Sequence, residues 1–492
     1  MFETEKWKQI ATDLKPKMLE EVVSPVSGLD GQSMKQGDYT ILDFGNHFVG
    51  EFSFTCTFTG SHPDAPVLLR IKLCESKREL EESSEDYHGW VSKSWVQEEY
   101  LHLDEVPGEY ALSRRFAFRY VKIEILAISD KFSLCINGAH VLAQSSGDIQ
   151  KVQRVTGPKM KQAIDRIAIR TLHNCMQEVF EDGPKRDRRL WVGDLRLEAL
   201  VNYCTFKNND LVRRCLYMFA AGTDQNGRVP ACVFDFPTLE GDDTYLFDYS
   251  LLYIVTLLDY VNETGDMETA KDLLPVAMRQ YELSVEEVGK DGVVRDRDEL
   301  GWCLLDWNMD LNRQAGAQFV LILGAKALCE LIEKTETEDA YPLAKIRETI
   351  DRLEKAAKEN LWNEKTGFFE SGDARQVSVA TQVWAVLSGM LSEQEARDLM
   401  SRVTKNLDTS DMTTPYIHSY YVMALLNCGM KREAEEHILS YWGGMAEDGA
   451  DTFYEMFRPD DPDFSPYGSS IVNSYCHGWG CSPAYFFRRC DV

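Results

Sequence analysis

At about residue 150 the apolar pattern of this chain changes its period. Before that point it alternates every second residue. Phe52, Phe54, Cys56 and Phe58 are interleaved with Ser53, Thr55, Thr57 and Thr59, and Val67, Leu69, Ile71 and Leu73 repeat the pattern. Phe116, Phe118 and Tyr120 continue it. The phase then slips, and Val121, Ile123 and Ile125 resume it. Half-buried antiparallel strands produce such alternation, and several of them between Gly, Pro and Asp turns predict a β-sandwich over residues 1–150. The first thirty or so residues read as partly helical, packed on the outside of that sandwich.

From about Thr156 the period is helical. Apolar-periodic segments are expected near 159–180, 194–205, 208–221, 244–262, 266–287, 314–334, 337–360, 375–389, 392–404, 416–428, 430–441 and 470–488. Ser392 followed by Glu395 is a capping box. Tight turns at Thr264-Gly265-Asp266 and Cys428-Gly429-Met430 contrast with the long 222–243 and 288–313 segments. Helical hairpins joined alternately by short and long connections predict an all-α (α/α)6 toroid over 151–492, with the long loops gathered at one mouth. An irregular bundle or solenoid is the competing architecture, without the strict repeat that solenoids carry.

Composition narrows the function. The 492 residues hold 53 Lys and Arg against 80 Asp and Glu, a formal net charge of -27. Such a surface repels phosphate backbones and anionic lipid, so neither nucleic acid nor membrane is expected as a partner. The N-terminus has no apolar leader, and no apolar run approaches the ~18 residues of a spanning segment. The 13 cysteines are dispersed without a CxxC pair, as reduced core thiols of a cytoplasmic protein would be. Neither zinc spacing nor an EF-hand pattern is present, so no metal and no cofactor are expected.

The densest cluster of chemistry is DGPKRDRRLWVGD, from Asp182 to Asp194, where one helix ends and another begins. A connecting loop needs turn residues, not three carboxylates and a tryptophan. The other long connections carry Asp242, Asp243 and Tyr245; Trp302, Asp306 and Trp307 in GWCLLDWN; Asp451, Tyr454 and Glu455 in GADTFYEMF; and His477 and Trp479 in CHGWG. Carboxylates and indoles at one end of a toroid suit a small carbohydrate. Flat rings stack on pyranose faces, carboxylates accept bonds from hydroxyls, and a pair of acids can break a glycosidic bond.

With these residues in view, the chain resembles glycoside hydrolase family 78, the bacterial α-L-rhamnosidases of the six-hairpin glycosidases. The family loop, approximately D-C-P-Q-R-E-R-L-G-W-T-G-D, aligns without a gap, matching at Asp182, Pro184, Arg186, Arg188, Trp191, Gly193 and Asp194. A second family motif, G-A-T-T-x-W-E-x-W, is matched at Gly449, Ala450, Thr452 and Glu455, and the family's later His falls on His477. LDFGNHFVGEFSF and RRFAFRYVKIEI look like its accessory sandwich. The resemblance implies an inverting glycosidase that releases terminal α-L-rhamnosyl or a related deoxy-sugar from small glycosides or oligosaccharides. Asp187 would be its acid and Glu455 its base, with Asp182, Arg186, Trp191, Asp194, Trp302, Asp306, Trp307, His477 and Trp479 binding substrate. Here Asp187 stands where the family has Glu, Leu190 where it has Gly, and Tyr454 where it has Trp. A divergent, compact branch is therefore expected, with a catalytically weakened glycan-binding protein as the alternative. A sugar isomerase or epimerase of the same toroid would need paired histidines, and the chain has 9 His with one in these loops.

Overall fold

The computed structural model describes residues 2–297, 302–490 and 492. Seven antiparallel strands form the first layer of the architecture: β1 (Leu19–Val23), β2 (Tyr39–Gly60), β3 (Val67–Cys74), β4 (Glu98–Leu103), β5 (Gly108–Ala111), β6 (Phe116–Ala127) and β7 (Phe132–Ser145). They are ordered β1-β7-β2-β6-β3-β4, with β5 on β2. The early half of β2 pairs with β6, and its later half pairs with β7 and β5. The inward residues of both halves of β2, among them Phe44, Phe52 and Phe54, therefore meet Phe118 and Ile123 of β6 in one core. The phase slip in β6 has a structural cause. Asp43 pairs with Tyr120 and Phe48 with Phe118, so β2 bulges opposite the slip. Tyr120 is thereby turned to the other face, against Cys74 and Leu80.

The helices are α1 (Thr4–Asp13), α2 (Lys159–Cys175), α3 (Val192–Cys204), α4 (Asn209–Ala221), α5 (Phe247–Thr264), α6 (Met267–Val285), α7 (Gln314–Lys334), α8 (Leu343–Asn360), α9 (Val379–Leu387), α10 (Glu393–Asn406), α11 (Pro415–Asn427), α12 (Lys431–Glu447) and α13 (Pro483–Arg489). α3, α5, α7, α9 and α11 pack in that order as an inner ring, and α2, α4, α6, α8, α10 and α12 flank them outside. Inner helices α5 and α7 are buried on nearly every side, whereas outer helices α8 and α10 show a single apolar stripe. Short turns lead from inner to outer helices. One is closed by Gly265, whose φ of 71° lies in the left-handed region that glycine adopts freely. Ser392 and Glu395 form the expected capping box. The long connections all lead from an outer helix into the N-terminus of an inner one, and so they share one mouth. Part of the 288–313 connection, at 298–301, lies outside the described residues.

Three expectations are corrected. α1 packs on the toroid rather than the sandwich: Trp7 and Ala11 join the helical core, and Arg214 bonds the Ala11 carbonyl. The segment expected as a helix over 470–488 is broken into the short turns Ser470–Val472 and Gly478–Cys481 followed by α13. It fills the sixth inner position against α2, α3 and α11. Its glycines and Asn473-Ser474 do not hold a long helix. Finally, α7 is long and apolar enough to cross a membrane by composition alone, but 83% of its apolar window is buried inside the protein, as in a core helix.

Candidate active site

The loop between α2 and α3 is built around the Asp182 carboxylate. It accepts the amides of Asp187 at 3.2 Å and Arg189 at 3.0 Å, while the Asp182 amide bonds the Arg189 carbonyl at 3.0 Å. Gly183 fits because its neighbour is backbone: a Cβ there would sit 2.3 Å from the Arg186 carbonyl. Leu190, where the family pattern has Gly, is buried in a two-residue strand, β8 (Leu190–Trp191), which pairs with β9 (Cys232–Phe234). That pairing fixes the exit of the loop into α3. Lys185 faces the sandwich and is almost wholly buried. It pairs with Glu79 and donates to the carbonyls of Ile471 at 3.0 Å and Asn473 at 2.9 Å.

Arg186 joins the two halves of the site. Its guanidinium is buried, anchored through Nε to the Val472 carbonyl at 3.0 Å. One terminal nitrogen reaches Asp187 Oδ1 at 3.3 Å and the other bonds Glu455 Oε2. The group also lies 4.2 Å over the Tyr467 ring, and the Tyr467 hydroxyl donates to Glu455 Oε1. Asp187 and Glu455, more than 260 residues apart in sequence (a separation of 269 between Arg186 and Glu455), thus lie on either side of one planar cation. Arg188 and Arg189 point elsewhere, to the Arg115 carbonyl at 3.0 Å and over Phe234 at 4.5 Å. The Trp479 indole donates to the Glu455 carbonyl at 2.9 Å, and the Glu455 amide bonds Ser474. The base candidate is therefore held at its backbone and at both carboxylate oxygens.

From this loop into α3, three carboxyl groups are buried without a cationic partner, Asp182, Asp194 and Glu198. Burial, and then the neighbouring Asp187, push Asp182 up to about 8. Burial and Asp182 push Asp194 well above the usual carboxylate range, and burial with Asp194 does the same to Glu198 one turn on. Burial and the Arg186 charge push His477 well below the usual imidazole range, so its ring is neutral. His477 Nδ1 lies 3.4 Å from Asp194 Oδ1, and neither atom completes a hydrogen bond within the protein. Both Glu198 oxygens and the Trp191 indole nitrogen are likewise buried without a protein partner. Buried polar groups are normally satisfied; a cluster of unsatisfied ones at the mouth of a toroid suits a hydroxylated ligand. Among the described residues no group of three or more His, Cys, Asp or Glu is placed to hold a metal ion.

Of the expected site residues, Asp182, Arg186, Asp187, Asp194, Glu455, His477 and Trp479 form this one network. Trp191, partly exposed and edge-on to Tyr249 at 6.4 Å, adjoins it at the end of β8, just before α3. Trp307 packs with Met456 and Tyr467 behind the base. Trp302 and Asp306 make their contacts elsewhere. Trp302 lies against Phe247 at 5.9 Å and lines a small cavity with Arg228 and Tyr245. Asp306 accepts the Thr413 amide at 2.8 Å and the hydroxyls of Thr413 and Thr414 at 2.9 and 2.7 Å, which pins the entry to α11. Sequence reasoning missed Tyr467, Lys185 and Glu198. Glu198 was accessible, because it follows Asp194 by four residues and so shares its helix face. Tyr467, in a Pro-, Asp- and Ser-rich loop, carries no periodic signal.

Comparison with known proteins bears on this geometry. The model of the glycosyl hydrolase family 78 alpha-rhamnosidase N-terminal domain matches residues 11–143, and that of the bacterial alpha-L-rhamnosidase 6 hairpin glycosidase domain matches residues 155–490. A solved rhamnosidase from Klebsiella oxytoca, with rhamnose bound, is similar at 42% identity and a TM-score of 0.95, over 99% of each chain. The family 78 rhamnosidase of Bacillus sp. GL1, at 20% identity and a TM-score of 0.77, shares the fold over 92% of this chain and 46% of its own. An N,N'-diacetylchitobiose phosphorylase of Vibrio furnissii is 24% identical over 188 residues, 32% of this chain. The chain spans only 22% of that curated relative's length.

Proposed function

The chain belongs to glycosyl hydrolase family 78, and from that premise we propose that it is an α-L-rhamnosidase acting with inversion on small rhamnosides or rhamnosyl oligosaccharides. One observation carries the reading: a single guanidinium spans Asp187 and Glu455. An inverting pair needs roughly 6.5–9.5 Å between carboxyl groups to admit both sugar and water. A guanidinium that bonds one carboxyl group through each terminal nitrogen holds the two apart, which favours the wider inverting arrangement over the closer retaining one.

In this reading Asp187 gives its proton to the glycosidic oxygen as the C–O bond breaks. Glu455 takes a proton from water, whose oxygen bonds the anomeric carbon on the opposite face. Arg186 and Tyr467 orient the base. Trp191, Asp194 and His477 supply hydrogen-bonding atoms that have no protein partner, and these suit the glycone hydroxyls. The shorter Asp187 reaches less far than the family's Glu, and its 3.3 Å contact with Arg186 holds the carboxyl group in place. Twelve of the cysteines, from Cys56 to Cys481, are free thiols and most of them are buried, which fits a reducing compartment, and a cytoplasmic enzyme acting on small imported glycosides is the corresponding proposal.

Asp187→Asn and Glu455→Gln should each lower turnover of p-nitrophenyl α-L-rhamnoside by about 10²-fold or more, with circular dichroism unchanged. Wild-type rates in either variant refute the assignment. Binding of L-rhamnose by a wild-type protein that turns over no rhamnoside moves the reading to a glycan-binding protein.

A further inference from the structure

Trp90 is 70% exposed, yet it is held in one orientation. Its indole nitrogen donates to the Pro466 carbonyl at 3.1 Å, and its ring lies 5.4 Å from that of Tyr467. Gly89, just before it, approaches Tyr467 so closely that a Cβ would stand 1.8 Å from the Tyr467 carbonyl oxygen. The Tyr87 hydroxyl donates to the same carbonyl at 3.3 Å and accepts the Val91 amide at 3.1 Å. Single exposed apolar side chains are ordinary on protein surfaces. An indole clamped by its neighbours and left open to solvent, one ring away from the carboxylate of Glu455, is not accounted for by packing. It comes from the connection between β3 and β4, so the sandwich contributes it to the toroid's site.

The groups around the two carboxylates, Arg186 and Tyr467 included, are buried. In the rhamnosidase reading they enclose the glycone. Trp90 is far more exposed than Tyr467, on its solvent side, and in the rhamnosidase reading the leaving group would project toward solvent. We infer that Trp90 is the platform for the leaving group: a flat face, of an aryl ring or a pyranose, rests on the indole while the glycone lies between Asp187 and Glu455. The inference rests on the rhamnosidase reading and adds to it which part of the substrate the sandwich recognises. Stacking of this kind is worth about tenfold in affinity.

The test compares kcat/KM for p-nitrophenyl α-L-rhamnoside, a rhamnosyl-glucose disaccharide and methyl α-L-rhamnoside in wild type, Trp90→Ala and Trp90→Phe. Inhibition by free L-rhamnose reports on the glycone site. Trp90→Ala should lose about tenfold on a substrate with a flat leaving group. It should leave methyl α-L-rhamnoside and the L-rhamnose inhibition constant unchanged, and Trp90→Phe should recover most of the loss. A loss on the aryl substrate alone assigns an aryl leaving group, a loss on the disaccharide alone a sugar, and a loss on both a platform for either. Tyr100→Ala, an exposed aromatic on β4 of the same domain, should change nothing. An equal loss on all three substrates, or none, overturns the inference. A wild-type protein inactive on all of them overturns the rhamnosidase reading itself, a failure visible before any variant is made.

Discussion

Arg186 is the residue on which the two catalytic candidates converge, and Tyr467 is its counterpart on the base. Tyr467→Phe removes a hydrogen bond to a charged acceptor without changing shape, so kcat should fall about tenfold while the L-rhamnose inhibition constant stays near wild type. Steady-state kinetics with inhibition by free L-rhamnose check this. Asp182 makes a pH-dependent contribution of the unusual sign. Its carboxyl stands at about 8 in the folded protein because of burial, against about 3.9 in an unfolded chain. The folded state therefore binds the extra proton between those values, and stability falls as pH rises from about 4 to 8. Asp182→Asn abolishes that titration. Its melting temperature relative to wild type should rise by a few degrees between pH 5 and pH 8; a constant difference contradicts the account. The aspartates of the motif were legible as chemistry from their density in a loop. What each one touches was not, since Asp306 looked as well placed as Asp194 and instead ties down residues 413 and 414.

At the scale of elements, the positions of β2, β3, β6 and of α2 to α12 were legible because burial on one face imposes a period on the sequence, whereas β1, β4, β5 and β7 were not placed. The phase slip at Tyr120 was visible as well, although its cause, the bulge in the paired strand, lies at residues 44–47 of β2 and is a property of the pair. The 470–488 segment misled because apolar content at helical spacing also suits a buried irregular chain whose polar backbone is satisfied by tertiary partners. The docking of α1 misled because an amphipathic stripe does not name its partner. The loop holding Asp187 has its own test. Gly183→Ala drives a Cβ to within 2.3 Å of the Arg186 carbonyl. That collision displaces the Arg186–Asp187 peptide, and kcat should drop by at least about tenfold while the helical circular dichroism is retained.

For the whole molecule, the sandwich is part of the candidate site's support. Lys185 of the loop is buried against Glu79 of the sandwich, and Ser469 and Ser470 of the terminal segment bond Glu82. Arg78 forms a fork to Asp448 at 2.7 Å on each oxygen. Lys185→Met strands a buried carboxylate at Glu79, so it should cost about 3–5 kcal/mol of stability and impair turnover together. Urea denaturation with parallel assays checks it, and a variant as stable and as active as wild type contradicts it. None of these contacts between domains was legible beforehand, because charge pairing across hundreds of residues leaves no local pattern. If Asp187 and Glu455 act from opposite faces of one sugar, proton NMR of p-nitrophenyl α-L-rhamnoside during hydrolysis by the intact enzyme reveals it in the anomer released first. β-L-rhamnose should appear first and mutarotate afterwards. First appearance of the α anomer, or no release at all, contradicts it.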